Sequence, residues 1–339
     1  MKHYGKLTAA AAAGFMTLSA MGVAPVFAAA DGNDFTVPVT KTVTKTDSNA
    51  LVPSVSFEYE VQAGTASGSV LAGVSNGLVF ADNDNILEAN DDAIGKETAT
   101  YSGATLRANA SAYTNAGVYH YVVKETTTYT DDHDGLGEKP VDLDVYVYVE
   151  NVKGTLKVSA ISASYVTTEG QQKTNVDFPN TYTTYTLAVT KNVTGNMGEK
   201  QRDFNFTGSV TAKGTHDRFT AAKGSATPTL VENLNTTLKD TDTYTVHGLS
   251  AKDVASIAEN DYSGDGYITT IKKGTGDAAT DATAVEKTAT DSKNLAYTVI
   301  NDKNNATPTG ILMSAAPYAG LVGLGGIFAG LFFRRKRED

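Results

Sequence analysis

Residues 141–149 read Val141-Asp-Leu-Asp-Val145-Tyr-Val-Tyr-Val149, with an apolar side chain at every odd position. Successive side chains of a β-strand point to opposite faces, so this strict alternation predicts a strand with one face in a core. The same pattern recurs at 55–61. Stretches rich in glycine, asparagine and aspartate, at 63–68, 82–96 and 131–137, separate such runs and predict loops. Many short strands at this spacing predict β-sandwich architecture.

The rest of the chain supports an all-β fold. A first strand is expected to place Phe35, Val37, Val39, Lys41 and Val43 on one face. No helical periodicity of comparable length occurs, and 251–258 is expected to form at most a short helical turn. The chain has 339 residues, no cysteine and no tryptophan, but 17 tyrosines and 31 glycines, a composition typical of strands and turns. Its length suits two domains of ordinary size.

The charge of the chain excludes some partners. The chain has 38 acidic residues and 28 lysines and arginines, which gives a formal net charge of −10. Residues 1–30 and 310–339 resemble processing signals, and together they contain six basic and two acidic residues, so the net charge of 31–309 is −14. Phosphates would be repelled by such a chain, which argues against nucleic acid and against an anionic membrane surface as partners.

The N-terminus has the layout of a secretory signal peptide over residues 1–30. Lys2 and Lys6 form a positive region, an apolar alanine-rich segment follows at 7–23, and small residues allow cleavage after Ala28 or Ala30. A cytosolic helix is the alternative, but the sequence turns acidic and polar at Asp31. We therefore expect an exported protein, which without cysteine has no disulfides to stabilise it.

The C-terminus resembles the sorting signal of sortase-processed surface proteins, in three parts over residues 306–339. A pentapeptide, Ala306-Thr-Pro-Thr-Gly310, precedes an uncharged apolar span at 311–333 and a charged tail at 334–339 that begins Arg-Arg-Lys-Arg. The pentapeptide is closer to the Val-Pro-Thr-Gly variant of some pilins than to Leu-Pro-x-Thr-Gly. The resemblance implies cleavage between Thr309 and Gly310, with the acyl group of Thr309 passed to an amine. A plain single-pass transmembrane anchor is the alternative.

Six polar residues share faces with apolar neighbours, and they follow one order twice: Lys41, Glu125 and Asn180, then Lys191, Glu259 and Asn301. A buried lysine or glutamate without a partner costs several kcal/mol. One interpretation is two buried Lys–Glu ion pairs with an asparagine nearby, or strand ends that reach water. The other is a pair of self-made Lys–Asn isopeptide bonds. Burial favours a neutral amine and a neutral acid, so the amine could attack the asparagine amide while the glutamate relays protons and ammonia leaves.

Six motifs contain these residues or lie between them: Val39-Thr-Lys41, Gly117-Val-Tyr-His-Tyr-Val-Val-Lys-Glu125, Phe178-Pro-Asn180, Leu187-Ala-Val-Thr-Lys191-Asn-Val-Thr-Gly195, Asp203-Phe-Asn-Phe206 and Val299-Ile-Asn301. In these motifs, and over nearly its full length, the chain resembles the major (backbone) pilins of Gram-positive bacteria, of the streptococcal T-antigen type. The resemblance implies two tandem immunoglobulin-like β-sandwich domains, at 31–182 and 183–305, each with one Lys–Asn bond. Glu125 and Glu259 would promote these bonds, although the strand before Glu259 lacks the aromatic residues that precede Glu125.

The resemblance also implies the function. It predicts the repeating subunit of a covalent cell-wall pilus (a fimbria), secreted to the cell surface, in which sortase joins Thr309 of one subunit to a lysine of the next. Lys173, seven residues before Asn180 in a polar stretch expected to be a loop, occupies the position of the linking lysine in such pilins. The implied partners are identical subunits, sortase, minor pilins, peptidoglycan and host surface ligands. A monomeric wall-anchored adhesin that binds a host or matrix ligand is the alternative.

Conventional enzyme chemistry has little support in the sequence. No histidine lies in a nucleophile motif, and Gly-x-Ser-x-Gly, His-Glu-x-x-His and phosphate-loop motifs are absent. The acidic stretches at 82–85 and 131–135 lack the glycine and distal glutamate of an EF-hand, so solvated turns are expected there. We expect no cofactor, no metal and no enzymatic activity beyond autocatalytic bond formation, with the chain itself a substrate of sortase.

Overall fold

The computed structural model describes residues 30–31, 34–167, 170–214, 216 and 218–304. Side chains are described for all of these except residues 30, 31, 90, 166, 167 and 170–174. The predicted signal peptide, apart from Ala30, and the predicted sorting signal therefore lie outside the described residues. Within them the structure is all-β, with five single-turn 3-10 helices at Ala81–Asn83, Ala110–Ala112, Asp131–His133, Ser263–Asp265 and Gly276–Ala278.

The strands fall into two successive groups, which we call the N-terminal region (30–182) and the C-terminal region (185–304). The strands of the N-terminal region are β1 (Ala30–Asp31), β2 (Asp34–Pro38), β3 (Lys41–Lys45), β4 (Ser56–Ala63), β5 (Val70–Ala72), β6 (Leu78–Phe80), β7 (Ile86–Asp91), β8 (Thr98–Ser102), β9 (Thr105–Ala108), β10 (Gly117–Glu125), β11 (Leu143–Val152), β12 (Thr155–Thr167), β13 (Gly170–Thr174) and β14 (Asn180–Tyr182). The strands of the C-terminal region are β15 (Tyr185–Thr194), β16 (Phe204–Thr211), β17 (Thr220–Lys223), β18 (Thr229–Leu230), β19 (Thr236–Leu238), β20 (Thr243–Leu249), β21 (Val254–Glu259), β22 (Ile268–Lys273), β23 (Thr280–Ala282), β24 (Val285–Lys287) and β25 (Leu295–Asp302).

Two sheets form the N-terminal region. The smaller has the order β1-β2-β9-β6, and the larger has the order β13-β12-β11-β10-β4-β7-β8-β3-β14, with β5 paired to β10. Its last pair, β3 and β14, is parallel, with Asn180 opposite Val43. The first and last strands of this region that carry predicted site residues are therefore direct neighbours. One continuous cluster of buried apolar side chains, from Phe35 to Tyr182, fills the space between the sheets.

The C-terminal region repeats this principle with its own core. A seven-stranded sheet, β18-β17-β20-β15-β25-β22-β23, packs with a four-stranded sheet, β19-β16-β21-β24. Its first and last strands, β15 and β25, pair in parallel along their length, with Lys191 opposite Val299 and Val193 opposite Asn301. A second apolar cluster runs from Leu187 to Val299. In each region the final strand thus pairs in parallel with the strand that carries the predicted lysine, β3 or β15.

The strand β11, which contains most of 141–149, has buried side chains on both faces, one in the main core and the other in a smaller cluster. Val145, Val147 and Val149 belong to the main core, as the pattern predicts. Tyr146 and Tyr148, on the opposite face of β11, are also buried, because they pack with Val70 and Ala160 in a separate small cluster. The aromatic rings at the even positions therefore cover a second apolar patch instead of facing water.

The structure departs from the sequence-based strand assignments in several places. The single first strand is two strands, β2 and β3, which belong to different sheets. The run from 82 to 96, predicted to be a loop, contains β7. The segment 251–258, predicted to be at most a helical turn, contributes strand β21, because Ala255 and Ile257 point into the core at strand spacing.

A buried polar cluster at the junction links the two regions. Lys45 Nζ donates to Asp92 Oδ1 at 2.9 Å, and the two side chains are 0% and 3% exposed. Asp92 Oδ2 accepts from the Val52 N–H at 2.8 Å and from Arg218 Nη1, in the C-terminal region, at 3.3 Å. The Thr220 hydroxyl adds a hydrogen bond of 2.8 Å to the Asn49 carbonyl. Asp92 is therefore the shared acceptor of a lysine, an arginine and a backbone amide.

This cluster gives a stability prediction. Replacing Asp92 with alanine leaves the Lys45 ammonium buried without its carboxylate, and removing one partner of a buried ion pair costs about 3 kcal/mol or more. We expect Asp92→Ala to lower the free energy of unfolding by that amount in urea denaturation. Asp91→Ala is the matched control, because the Asp91–Lys96 pair is 61% and 50% exposed, and such surface pairs contribute less than about 1 kcal/mol. Equal losses in the two variants would contradict the prediction.

Candidate functional site

The first predicted group lies where β3, β10 and β14 meet. Lys41 opens β3 and shares its buried face with Val43. Asn180 opens β14, whose pairing places it opposite Val43, so the lysine and the asparagine stand on neighbouring strands two residues out of register. Glu125 closes β10, which is four strand-to-strand steps from β3 in the same sheet. The contact between Glu125 and Lys41 shows that this sheet folds over on itself.

The lysine and the glutamate of this group form a buried pair. Lys41 Nζ donates to Glu125 Oε2 at 2.8 Å, and both side chains are fully shielded from solvent. The ammonium nitrogen also lies 4.3 Å from the centre of the Phe57 ring. The second carboxylate oxygen of Glu125 is buried without a hydrogen-bond partner among the described residues.

Tyr129 connects this pair to the asparagine. Its hydroxyl oxygen accepts from Lys41 Nζ at 3.1 Å and from Asn180 Nδ2 at 2.9 Å. The other end of the Asn180 amide, Oδ1, accepts from the backbone N–H of Thr181 at 2.7 Å. The hydroxyl thus stands between the amine and the amide nitrogen.

Burial sets the charge states of the first group. Removal from water lowers the pKa of Lys41 from its usual value, against the opposing attraction of Glu125. Burial also raises the pKa of the Tyr129 hydroxyl, and the neighbouring Glu125 charge raises it further. The lysine is therefore biased towards the neutral amine, and the tyrosine keeps its proton.

The second predicted group spans the two sheets of the C-terminal region. Lys191 on β15 and Asn301 on β25 stand on neighbouring parallel strands, again two residues out of register. Glu259 is the last residue of β21 in the facing sheet and pairs with Phe206. The side chain of Glu259 therefore approaches the lysine and the asparagine from across the core.

In the second group the glutamate contacts both the lysine and the asparagine. Glu259 Oε1 lies 3.1 Å from Lys191 Nζ and accepts from Asn301 Nδ2 at 3.1 Å. Lys191 Nζ donates also to the Val299 carbonyl at 3.3 Å and lies 4.6 Å from the centre of the Phe204 ring. The lysine side chain is 0% exposed and that of Glu259 is 4% exposed. Glu259 Oε2, like its counterpart in the first group, is buried without a partner among the described residues.

The titration of this group is shifted in both partners. Burial lowers the pKa of Lys191 to about 8, although Glu259 opposes the shift. Burial raises the pKa of Glu259, and its contacts with Lys191 and Asn301 oppose that shift. Each group therefore moves towards its neutral form, and the two charged forms are destabilised together.

Both groups can support attack of an amine on an amide carbonyl. The geometry supplies a lysine nitrogen with depressed basicity, a carboxyl group beside it, and an asparagine on the adjacent strand. The carbonyl oxygen of each asparagine accepts a hydrogen bond that would stabilise a developing oxyanion. In the first group the donor is the backbone N–H of Thr181, and in the second it is the Thr269 hydroxyl, 2.9 Å from Asn301 Oδ1.

The predicted linking lysine lies at the edge of the large sheet. Lys173 lies on β13, opposite Ser164, so the stretch predicted to be a loop is an edge strand at this point. Thr309 and Gly310 lie outside the described residues.

Within the described ranges, no group of three or more histidine, cysteine, aspartate or glutamate residues is placed to hold a metal ion. The same part of the chain contains no helix long and apolar enough to cross a membrane.

Sequence reasoning missed three residues of interest. Tyr129 continues the odd-numbered face of Glu125 past the end of β10, and that parity was the available signal. Lys45 and Lys287 are also buried lysines, 5% and 0% exposed. Lys287 Nζ donates to the carbonyls of Ala251, Asp253 and Thr288. Lys45 continues the face of Lys41 and Val43, whereas the distant carbonyls around Lys287 have no signature in the sequence.

Comparisons with known proteins agree with this architecture. Residues 185–303 match a family described as "Domain of unknown function (DUF7601)". A pilin of Streptococcus pyogenes serotype M1 is 28% identical over 327 residues, which cover 90% of this chain and 92% of that protein. The crystal structure of the major pilin from S. pyogenes matches with a TM-score of 0.53 at 22% identity, over 81% of this chain and all of that one. The major pilin protein T3.2 from the same species matches with a TM-score of 0.50 at 24% identity, over 80% of this chain and all of that one. The chain is homologous to the S. pyogenes major pilin of the T-antigen type over most of its length.

Proposed function

We propose that this chain, a homologue of the major pilin of Streptococcus pyogenes, is the repeating backbone subunit of a covalently polymerised cell-surface pilus. The observation that carries the proposal is the similarity to a pilin across nine-tenths of both chains, which leaves no large part of either protein unmatched. The leader at 1–30 and the sorting signal at 306–339 support export to the cell surface and attachment to the cell wall. Partners are then identical subunits, sortase, minor pilins and peptidoglycan.

In this proposal the two regions are immunoglobulin-like domains, 31–182 and 183–305, and each is cross-linked internally by one isopeptide bond. In the second domain the neutral amine of Lys191 attacks Cγ of Asn301. The Nζ–Cγ bond forms, the Cγ–Nδ2 bond breaks, and one proton passes from Nζ to Nδ2, which leaves as ammonia. Glu259 Oε1 contacts both nitrogens, so the glutamate is placed to move that proton. Lys41 and Asn180 are joined in the same way with the help of Glu125.

The link between subunits would join the C-terminal sorting signal of one subunit to a lysine of the next. Sortase cleaves between Thr309 and Gly310 and holds Thr309 as an acyl group, which the ε-amine of a lysine in the next subunit attacks. We propose Lys173 as that lysine. Its strand, β13, is the outermost of the large sheet, so one side of its backbone has no neighbouring strand in that sheet. Head-to-tail contacts of this kind join each subunit to the next without closing into a ring, so they produce a fibre.

The internal bonds predict a deficit in mass. The folded protein is expected to be lighter than its calculated sequence mass by two ammonias in intact mass spectrometry. Lys41→Ala and Asn180→Ala should each restore one ammonia, and Lys191→Ala should restore the other. Glu125→Ala should keep the fold but stop the first bond, because the carboxyl group that takes a proton from Lys41 is lost.

Lys287→Met is the matched control for these variants. It removes a buried lysine whose ammonium already donates to three carbonyls, so both ammonias should still be lost. A wild-type protein of full calculated mass would contradict the cross-links. A Glu125→Ala protein that retains both losses would contradict the role of the glutamate alone.

The second bond should form with a specific pH dependence. The reaction needs one proton on the Lys191–Glu259 pair, held by the acid while the amine is neutral. The pair loses that proton as the pH rises through about 8, so the rate should be constant near neutrality and fall above this value. It should also fall in acid, where both groups are protonated. Unreacted chain purified in denaturant and diluted into a pH series, with ammonia loss followed by mass, measures the rate. A rate that rises through pH 8 would mean that the amine reacts without a protonated Glu259.

The intersubunit link predicts the behaviour of one lysine in cells. Lys173→Arg keeps the positive charge but removes the nucleophilic amine, so cells should export the folded subunit without forming polymers. Blots of cell-wall extracts boiled in detergent should show a ladder for the wild type and one band for the variant. Lys139→Arg, at an exposed lysine, is the control and should keep the ladder. An undiminished ladder in Lys173→Arg would assign the link to another lysine, and a single band in wild-type cells would favour the monomeric adhesin.

A further inference from the structure

The two reactive groups connect their nitrogens through different atoms. In the second group a single carboxylate oxygen, Glu259 Oε1, contacts both the lysine nitrogen and the asparagine nitrogen at 3.1 Å. In the first group Glu125 Oε2 contacts the lysine, but the atom that contacts both nitrogens is the hydroxyl oxygen of Tyr129. Tyr129 thus occupies the bridging position that belongs to the glutamate in the other domain.

We propose that Tyr129 is a catalytic residue of the first cross-link and that its hydroxyl carries the proton from the attacking amine to the departing ammonia. The inference rests on the proposed Lys41–Asn180 bond. As the Nζ–Cγ bond forms, the lysine nitrogen gives one proton to the tyrosine oxygen. The tyrosine gives its own proton to Nδ2 of Asn180, the Cγ–Nδ2 bond breaks, and ammonia leaves. The tyrosine ends the step in the form in which it began.

The surroundings of Tyr129 hold its hydroxyl in place. Its ring stacks on His133 with centroids 4.9 Å apart and planes 9° apart. The imidazole is fixed in turn, because His133 Nδ1 accepts from the backbone N–H of Thr130 at 3.2 Å. A ring of Phe57 lies 6.0 Å away on the core side. A residue held in this way, just before the short turn at Asp131–His133, loses little further entropy when it acts as a relay.

Glu125 has a different part in this arrangement. It contacts the lysine and, through Oε2, the hydroxyl of Tyr59 at 3.2 Å. Its role is to take one proton from the Lys41 ammonium, which leaves the amine neutral before it attacks. In the first domain Glu125 deprotonates the lysine and Tyr129 moves the proton to the departing ammonia, whereas in the second domain Glu259 does both. Removal of the tyrosine hydroxyl should therefore slow formation of the first bond only.

The test follows both bonds in one molecule. Unreacted Tyr129→Phe protein, isolated in denaturant, is refolded at neutral pH, and the loss of each ammonia is timed by mass spectrometry with peptide mapping to assign the bond. We expect the Lys41–Asn180 bond to form roughly 10²-fold more slowly than in the wild type, the scale of general acid–base assistance. The Lys191–Asn301 bond should form at the wild-type rate in the same sample.

Two further variants separate catalysis from packing. Tyr59→Phe removes a hydroxyl that donates to Glu125 but contacts neither reacting nitrogen, and it should form the first bond at nearly the wild-type rate. Tyr129→His keeps an aromatic ring with a proton-carrying nitrogen and should form it faster than Tyr129→Phe. Near-UV circular dichroism verifies that each variant folds.

The outcomes are distinguishable. A folded Tyr129→Phe protein that forms the first bond at the wild-type rate overturns the role of the tyrosine and leaves the cross-links intact. Equal slowing in Tyr59→Phe, or no recovery in Tyr129→His, likewise overturns the relay. A wild-type protein that loses no ammonia overturns the cross-links themselves and the role of Tyr129 with them.

Discussion

A lysine ammonium removed from water must find compensation, and the two regions of this chain are arranged around that constraint. Transfer of an unpaired charge into a β-sandwich core costs several kcal/mol, so Lys41 and Lys191 can be buried only where other strands bring partners to them. That requirement fixes the end of β10 against β3, and the end of β21 against β15. The parallel pairing of β14 with β3, and of β25 with β15, in turn places the asparagine on the strand beside the lysine.

The pattern of hydrogen bonds separates these two lysines from the other two buried ones. Lys45 and Lys287 each donate to three acceptors, which uses all three N–H groups of an ammonium. Lys41 and Lys191 each have two acceptors among the described residues. A neutral amine has two N–H groups and one lone pair, so two acceptors satisfy it and leave the lone pair free. In the proposed chemistry, the number of acceptors therefore distinguishes Lys41 and Lys191 from the other two buried lysines, whereas burial alone does not.

The sequence predicted the alternating faces but not the contacts between distant elements. Parity alone placed Lys41, Glu125, Lys191, Glu259 and Asn301 on buried faces, because strand periodicity is a local property that the backbone imposes. The break between β2 and β3 was missed, since the apolar pattern continues through it while the strand changes sheet. The bridging hydroxyl of Tyr129 was missed as well, because it follows the end of a strand and is positioned by a turn. Such contacts depend on how the sheet curls, which no local pattern records.

The two proposed bonds would have different mechanical roles in the proposed fibre, because they are placed differently in the chain. Tension on the C-terminal region would enter at the start of β15 and leave at the end of β25, and these strands are parallel neighbours. A bond from Lys191 to Asn301 would carry that tension across one covalent link and leave residues 192–300 unloaded. If the fibre is joined at Lys173, tension in the N-terminal region would run from that residue through Asn180 and onward to β15. Strand β3 and Lys41 lie off this route. The first bond would then protect its domain against unfolding and proteolysis, as closure of a long loop does, while the second would transmit force.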